Sequence, residues 1–363
     1  MKVPIITSVA FAFCLTLLSP QTSMADEVGP ELDPVLLQMI RDDAVHEDLN
    51  LEPEQISALI EFLPQVDGEW FRARNYPTVK RLATIDQLTS NLRSSLQQIL
   101  QPDQVKRLEQ LECQALGTRM VLHPDIAKRF DVTEKQRAMF VGIAEQTDKA
   151  VAKVQQQAKD GKLDAKAGGR KIAELQKTER EQFVKALTPE QTELLPSMTG
   201  KTFNFSKIKR TYPMAPELES EGVTWLRGTP VQLSDLRGKV VAVHFYAFQC
   251  INCQRNLPHY QAWHADYADQ GLVVIGIQTP ELSSERSADL VRAAAIKEGI
   301  EYPVLLDLKS SNWNAWHNTM WPTVYLIDKK GFLRRWWQGE MNWQGNPGEK
   351  DMRGTVEALL AED

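Results

Sequence analysis

Cysteine is scarce in this chain, with four in 363 residues. That is too few for the disulfide framework of a small secreted domain. Basic residues do not outnumber acidic ones, at 42 Lys and Arg against 48 Asp and Glu for a net charge of -6. No basic surplus is available for a phosphate backbone, so nucleic acid is not an expected partner. Beyond the N-terminus no run of about 18 uncharged apolar residues offers a membrane span. Tryptophan is nearly missing from the first two hundred residues, where only Trp70 occurs, while the other eight of the nine lie at or beyond Trp225.

What remains is an ordinary globular composition, 42% hydrophobic and 25% charged. A chain of this length suits about two domains. The N-terminus carries Lys2, an apolar stretch from Val3 to Leu18, a break at Pro20 and small residues Ser23 and Ala25. That pattern predicts a signal peptide over residues 1–25. The mature protein is expected to be soluble in the periplasm or another extracytoplasmic space, or membrane-tethered if the signal is uncleaved. A lipoprotein anchor at Cys14 would want a small residue before it, and Phe13 stands there. Export leaves Cys113, Cys250 and Cys253, one close pair and one odd thiol in the helical pattern "RLEQLECQAL".

The shift in tryptophan content, with Gly and Pro punctuation in "SMTGKTFNFSKIKRTYPMAPE", predicts a helical domain over 26–205 and a second domain over 206–363. Within the first, "LEPEQ", "LQPDQ", "VTEKQ" and "LTPEQ" each place Pro or Thr, an acid and then Gln ahead of an apolar-periodic run, as helix starts do. Two polar helices are expected to break near Gly161 or near Gly168 and Gly169. The repeated signature resembles the LTxxQ motif of Spy-type periplasmic helical proteins. That resemblance implies a helical scaffold or a chaperone-like, partner-binding role.

The second domain changes period. "KVVAVHF" is a β-branched run with no polar alternation until His244, as in a buried parallel strand. "LVVIGIQ", "YPVLLD", "TVYLID" and "FLRRWW" are further expected strands, with helices over 256–270 and 287–298 and a "DKKG" hairpin turn. A β-α-β crossover followed by an antiparallel hairpin implies an α/β fold with a mixed sheet.

Cys250 and Cys253, in "QCINCQ", allow a redox pair, half a zinc site, a haem anchor or inert thiols. The domain has no further cysteine to complete a structural zinc set. Gln254 stands where a haem anchor needs His, and Ala247 where a peroxiredoxin carries Thr three residues before its reactive cysteine. A cysteine where a buried strand turns into a helix sits where free N–H groups and the dipole favour a thiolate. Cys253 then lies one turn along the same face, within reach of an exchangeable disulfide.

From about Ala215 to Glu340, "LSDLRGK", "CINC", "TPE" and "WPT" together resemble the TlpA/DipZ-type thiol-disulfide oxidoreductases of the thioredoxin fold. The resemblance implies a thioredoxin-like domain exchanging disulfides with protein thiols and with an upstream electron donor or acceptor, without metal or organic cofactor. It implies Cys250 as nucleophile, Cys253 as resolving thiol, Pro322 as a cis-proline facing Cys250, and Trp321 as a wall of the substrate groove. Six residues before the first cysteine, where thioredoxins commonly carry a buried acid, this chain has His244. His244 and Glu281 are therefore the candidate proton relays, and Arg255 a candidate electrostatic aid to the thiolate. The competing class is a partner-binding protein whose helical domain does the work, with the thioredoxin-like domain as a docking module.

Overall fold

The computed structural model describes residue 30 and residues 32–362. The expected signal peptide and Cys14 lie outside the described residues. The chain divides into two compact units, one containing the described residues up to Ser57 with Arg93–Lys209, the other Ala58–Leu92 with Arg210–Asp363. No helix among the described residues is long and apolar enough to cross a membrane.

The first unit is helical. Helices Glu134–Lys159 and Ala165–Lys185 run side by side in opposite directions, with Phe140 near the start of one stacked on Phe183 near the end of the other at 4.9 Å. The break falls at Gly161, whose φ of 69° suits a residue without Cβ. Asp164 then caps the second helix by accepting from the Ala167 amide at 2.8 Å. Gly168 and Gly169 lie inside that helix, so of the two expected break points only Gly161 serves.

The four repeated signatures are helix starts, and the structure explains why each ends in Gln. At Thr188 the backbone N–H donates to Gln191 Oε1 at 3.0 Å while Thr188 Oγ1 accepts from the Gln191 amide, a reciprocal capping box. The Gln191 amide nitrogen is still available. It donates to the Phe130 carbonyl at 2.9 Å and to Gln136 Oε1 at 3.3 Å, and Gln136 returns a bond to Gln191 Oε1 at 2.9 Å. Gln55 and Gln104 form the same reciprocal pair, at 2.8 and 3.1 Å. Glutamate could make the capping bond but has no N–H to give the second.

The second unit holds a six-stranded sheet: β1 (Thr224–Arg227), β2 (Val240–Tyr246), β3 (Leu272–Gln278), β4 (Val304–Leu306), β5 (Thr323–Ile327) and β6 (Leu333–Gln338). Their order is β1-β4-β3-β2-β5-β6. The β2, β3 and β4 strands are parallel, joined by helical crossovers, and β1, β5 and β6 are antiparallel to their neighbours. All seven β2 residues are buried, matching the apolar run without alternation. Asp328 closes the β5–β6 turn by accepting from the Lys330 and Phe332 amides at 3.0 and 2.9 Å, and Gly331 takes φ 92°.

Two elements here have no clear sequence signal. The β1 strand is a short edge strand with no fully buried residue. Helix Gly348–Leu360 begins with glycine because a Cβ at Gly348 would come within 2.2 Å of the Met341 carbonyl.

Composition places Ala58–Leu92 in the helical domain; its contacts place it in this second unit. Phe71 is 3% exposed and packs edge-on against Trp316, Tyr325 and Trp336 at 6.5, 5.7 and 6.3 Å. The Arg74 guanidinium lies 3.5 Å from the Phe71 ring centre and donates to the Trp316 carbonyl at 2.9 Å and Tyr325 Oη at 3.1 Å. Helical segments rich in polar residues read the same whichever core their few aromatics join, which is why composition places this stretch elsewhere.

Candidate active site

Strand β2 ends at Tyr246 and helix Ile251–Tyr267 begins with Cys250 as its N-cap. Three amides of the turn between them are held. Phe248 N donates to Gln278 Oε1 at 2.9 Å, Gln249 N to Glu285 Oε1 at 2.8 Å, and Cys250 N to the Ala247 carbonyl at 3.1 Å. The first N–H groups of the helix are left without intrahelical partners, so the positive end of the helix dipole lies at Cys250.

Cys250 is half-buried and Cys253 is 3% exposed, both as free thiols. Burial pushes the Cys253 thiol well above its ordinary value, and the neighbouring Cys250 thiol and Glu281 charge add to the shift, while a hydrogen bond from the Ala247 backbone opposes it. The pair is therefore asymmetric: one accessible sulfur at a helix terminus and one protonated sulfur beneath it. Cys113, in the helical unit, is 1% exposed and pushed up to about 12 by burial, as a core thiol is.

The antiparallel register of β2 and β5 pairs Phe245 with Thr323. The end of β2 that leads to Cys250 and the start of β5, just after Pro322, consequently share one edge of the sheet. The Trp321–Pro322 peptide is cis. Pro322 is buried, and Trp321 is half-buried with its ring stacked on Trp313 at 4.0 Å. Trp321 and Cys250 both pack against the same apolar cluster, beside Cys253 and Tyr246.

His244 is wholly buried, and neither ring nitrogen has a hydrogen-bond partner among the described residues. Its ring stacks on Tyr260 at 4.2 Å and meets Tyr302 edge-on at 5.4 Å. Room for it comes from Gly276, its partner across β3, where a Cβ would come within 3.0 Å of Nε2. Burial drives its pKa down to about 3. Among the described residues no group pairs with the charged form, so the imidazole stays neutral where a proton relay would have to titrate. His244 does line a cavity with Cys253, Tyr246, Leu257, Ala295 and Ile300.

Glu281 is exposed on the loop after β3. Arg255 is exposed and paired with Glu340 at 3.0 Å, so its charge is directed along the helix surface. Two residues absent from the expected site are built into it. Gln278 and Glu285 are 0% exposed and anchor the Cys250 turn. Gln278 ends an apolar strand and had a signal, a polar residue closing "LVVIGIQ"; Glu285 had none, because "LSSER" reads as a solvated turn.

A mixed sheet flanked by helices, with a CxxC at the start of the helix after a buried strand, defines a thioredoxin-like domain. Residues 213–336 match the model of the AhpC/TSA family. Protein DipZ of Mycobacterium tuberculosis is 42% identical over 134 residues, 35% of this chain and 19% of DipZ. NHL repeat-containing protein 2 of Homo sapiens is 32% identical over 114 residues, 31% of this chain and 16% of that protein. Thiol-disulfide oxidoreductase ResA of Geobacillus kaustophilus is 31% identical over 121 residues, 33% of this chain and 66% of ResA. The chain thus spans about a fifth of the length of DipZ, and its C-terminal region is similar to TlpA/DipZ-type proteins.

Proposed function

We propose that this protein is an exported thiol-disulfide oxidoreductase acting on protein thiols and disulfides. The observation that carries the reading is the asymmetry of the pair, an accessible Cys250 at a helix N-terminus above a buried, protonated Cys253. The Cys250 thiolate attacks one sulfur of a substrate disulfide, forming a mixed disulfide and releasing the other sulfur as a thiolate. Cys253 then gives up its proton and attacks Cys250 Sγ, so the Cys250–Cys253 bond forms as the substrate's second thiol leaves. The substrate is reduced by two electrons and the pair is oxidised by two; the reverse sequence oxidises a substrate, and an upstream donor or acceptor resets the pair.

His244 is set aside as acceptor of the Cys253 proton, because burial disfavours its imidazolium; Glu281, exposed on the loop after β3, is the remaining candidate that the family resemblance offers. Trp321 and Pro322 form the wall against which an extended substrate segment lies, pairing its backbone beside β5. Similarity to a protein named thiol-disulfide oxidoreductase supports the reaction class.

The test is trapping. Cys253→Ser keeps the attacking sulfur and removes the one that releases the client, so mixed disulfides accumulate on non-reducing gels. Cys250→Ser forms almost none. Equal trapping by both variants, or adducts confined to Cys113, would overturn the assignment.

A further inference from the structure

Glu285 is fully buried on the short turn Ser283–Arg286. Its Oε1 accepts from Gln249 N at 2.8 Å, and its Oε2 from Glu281 N at 2.7 Å and Leu282 N at 2.9 Å. One carboxylate thus joins two loops, the one that ends at Cys250 and the one that carries Glu281. A second tie runs parallel, from Ser284 Oγ to Gln249 Oε1 at 2.8 Å. In the same turn, Cys250 N is bound to the Ala247 carbonyl and Phe248 N to Gln278 at the end of β3. Within the turn, among the described residues, Gln249 is the one that hydrogen-bonds to the loop after β3.

We propose that Glu285 is a positioning residue for Cys250, setting the place of the attacking sulfur relative to Glu281 through the Gln249 and Glu281 amides. The inference rests on the thiol-exchange reading above and deepens it. The side chain must accept on both oxygens, because all three partners are N–H donors. Glutamine has nearly the same volume but turns an NH₂ group toward at least one of them, so one of the two loops loses its anchor. A group that served packing alone would change stability and leave turnover untouched.

The test uses the full chain as wild type, Glu285→Gln, Ser284→Ala and, as a control lacking the nucleophile, Cys250→Ser. Three quantities are measured: amide hydrogen exchange at Gln249, Glu281 and Leu282, the alkylation rate of Cys250 with iodoacetamide, and kcat and KM for reduction of insulin disulfides. Glu285→Gln is expected to speed exchange of at least one of these amides, to lower kcat about tenfold with KM within about twofold, and to change Cys250 alkylation at least threefold, as a small misplacement of a reacting group does. Ser284→Ala, which removes only a surface tie, is expected to give a two- to threefold loss of kcat of the same kind, roughly a single neutral hydrogen bond. Faster amide exchange in Glu285→Gln with kcat and Cys250 alkylation unchanged would overturn the proposal, because the clamp would then hold the loop and not the thiol. Unchanged amide exchange would overturn the clamp itself. If wild type and Cys250→Ser are equally inactive, the exchange reading falls, and Cys250 alkylation then decides the positioning alone. If Glu285→Gln does not fold, unaltered kcat and alkylation in Ser284→Ala overturn the proposal.

Discussion

Phe71→Ala should destabilise the unit that carries the cysteine pair, although it lies far from that pair in the sequence. Phe71 is 3% exposed and touches three aromatic rings edge-on, with Arg74 over its face. Truncating a buried phenylalanine costs about 3–5 kcal/mol, and the lost edge contacts favour the upper half of that range. For a unit of this size each kcal/mol moves the midpoint by roughly 2–4 °C, so a fall of about 8–20 °C is expected. All nine tryptophans belong to this unit. Thermal unfolding followed by intrinsic tryptophan fluorescence therefore reports on it selectively, and circular dichroism at 222 nm reports mostly on the helical unit. A fluorescence midpoint lowered by less than about 3 °C, or a loss confined to the circular dichroism transition, would refute the placement of Ala58–Leu92.

Two further outcomes follow from buried polar groups. His244 has a folded pKa of about 3 against an ordinary value of 6.5, so between those limits the unfolded chain binds a proton that the folded chain does not. Stability from this group is complete above pH 6.5 and falls by up to about 1.4 kcal/mol per pH unit as pH drops toward 3. His244→Phe removes the titration, and on going from pH 7 to pH 4.5 it should lose about 2–3 kcal/mol less than wild type in urea unfolding; equal losses would contradict the burial. Gln191→Ala strips the Phe130 carbonyl and the Thr188 amide of a partner and should destabilise the helical unit by about 1–3 kcal/mol, read by urea unfolding at 222 nm; a value under about 0.5 kcal/mol would contradict the role of the Gln pair.

The strands of the sheet were legible because parallel, doubly buried strands leave unbroken apolar runs, and Leu272–Gln278 matches its expected bounds. The Cys250 helix starts five residues earlier than expected, at Ile251, because its first turn is written in polar residues whose periodicity is weak. Cys250, Cys253, Trp321 and Pro322 were nameable through motifs of short range. Glu285 was not, because its three partners are backbone amides, which have no letter in a sequence. The same holds for His244: the residue was visible, but its stack with Tyr260 and the space left by Gly276 depend on pairings between separate strands. Where Ala58–Leu92 packs was likewise hidden, since amphipathic spacing reveals that a helix has an apolar face and not what covers it.

The discontinuity of the second unit also has a kinetic side. Phe71 leaves the ribosome 265 residues before Trp336, the last of its aromatic partners. At synthesis rates of about 5–20 residues per second, the face bearing Phe71 waits roughly 13–53 s for its seat to be made. Its partners are also distant in sequence, and such contacts close late in folding. For that interval an aromatic surface stays uncovered in the nascent chain, while the helices between Arg93 and Lys209 already have their own partners within reach.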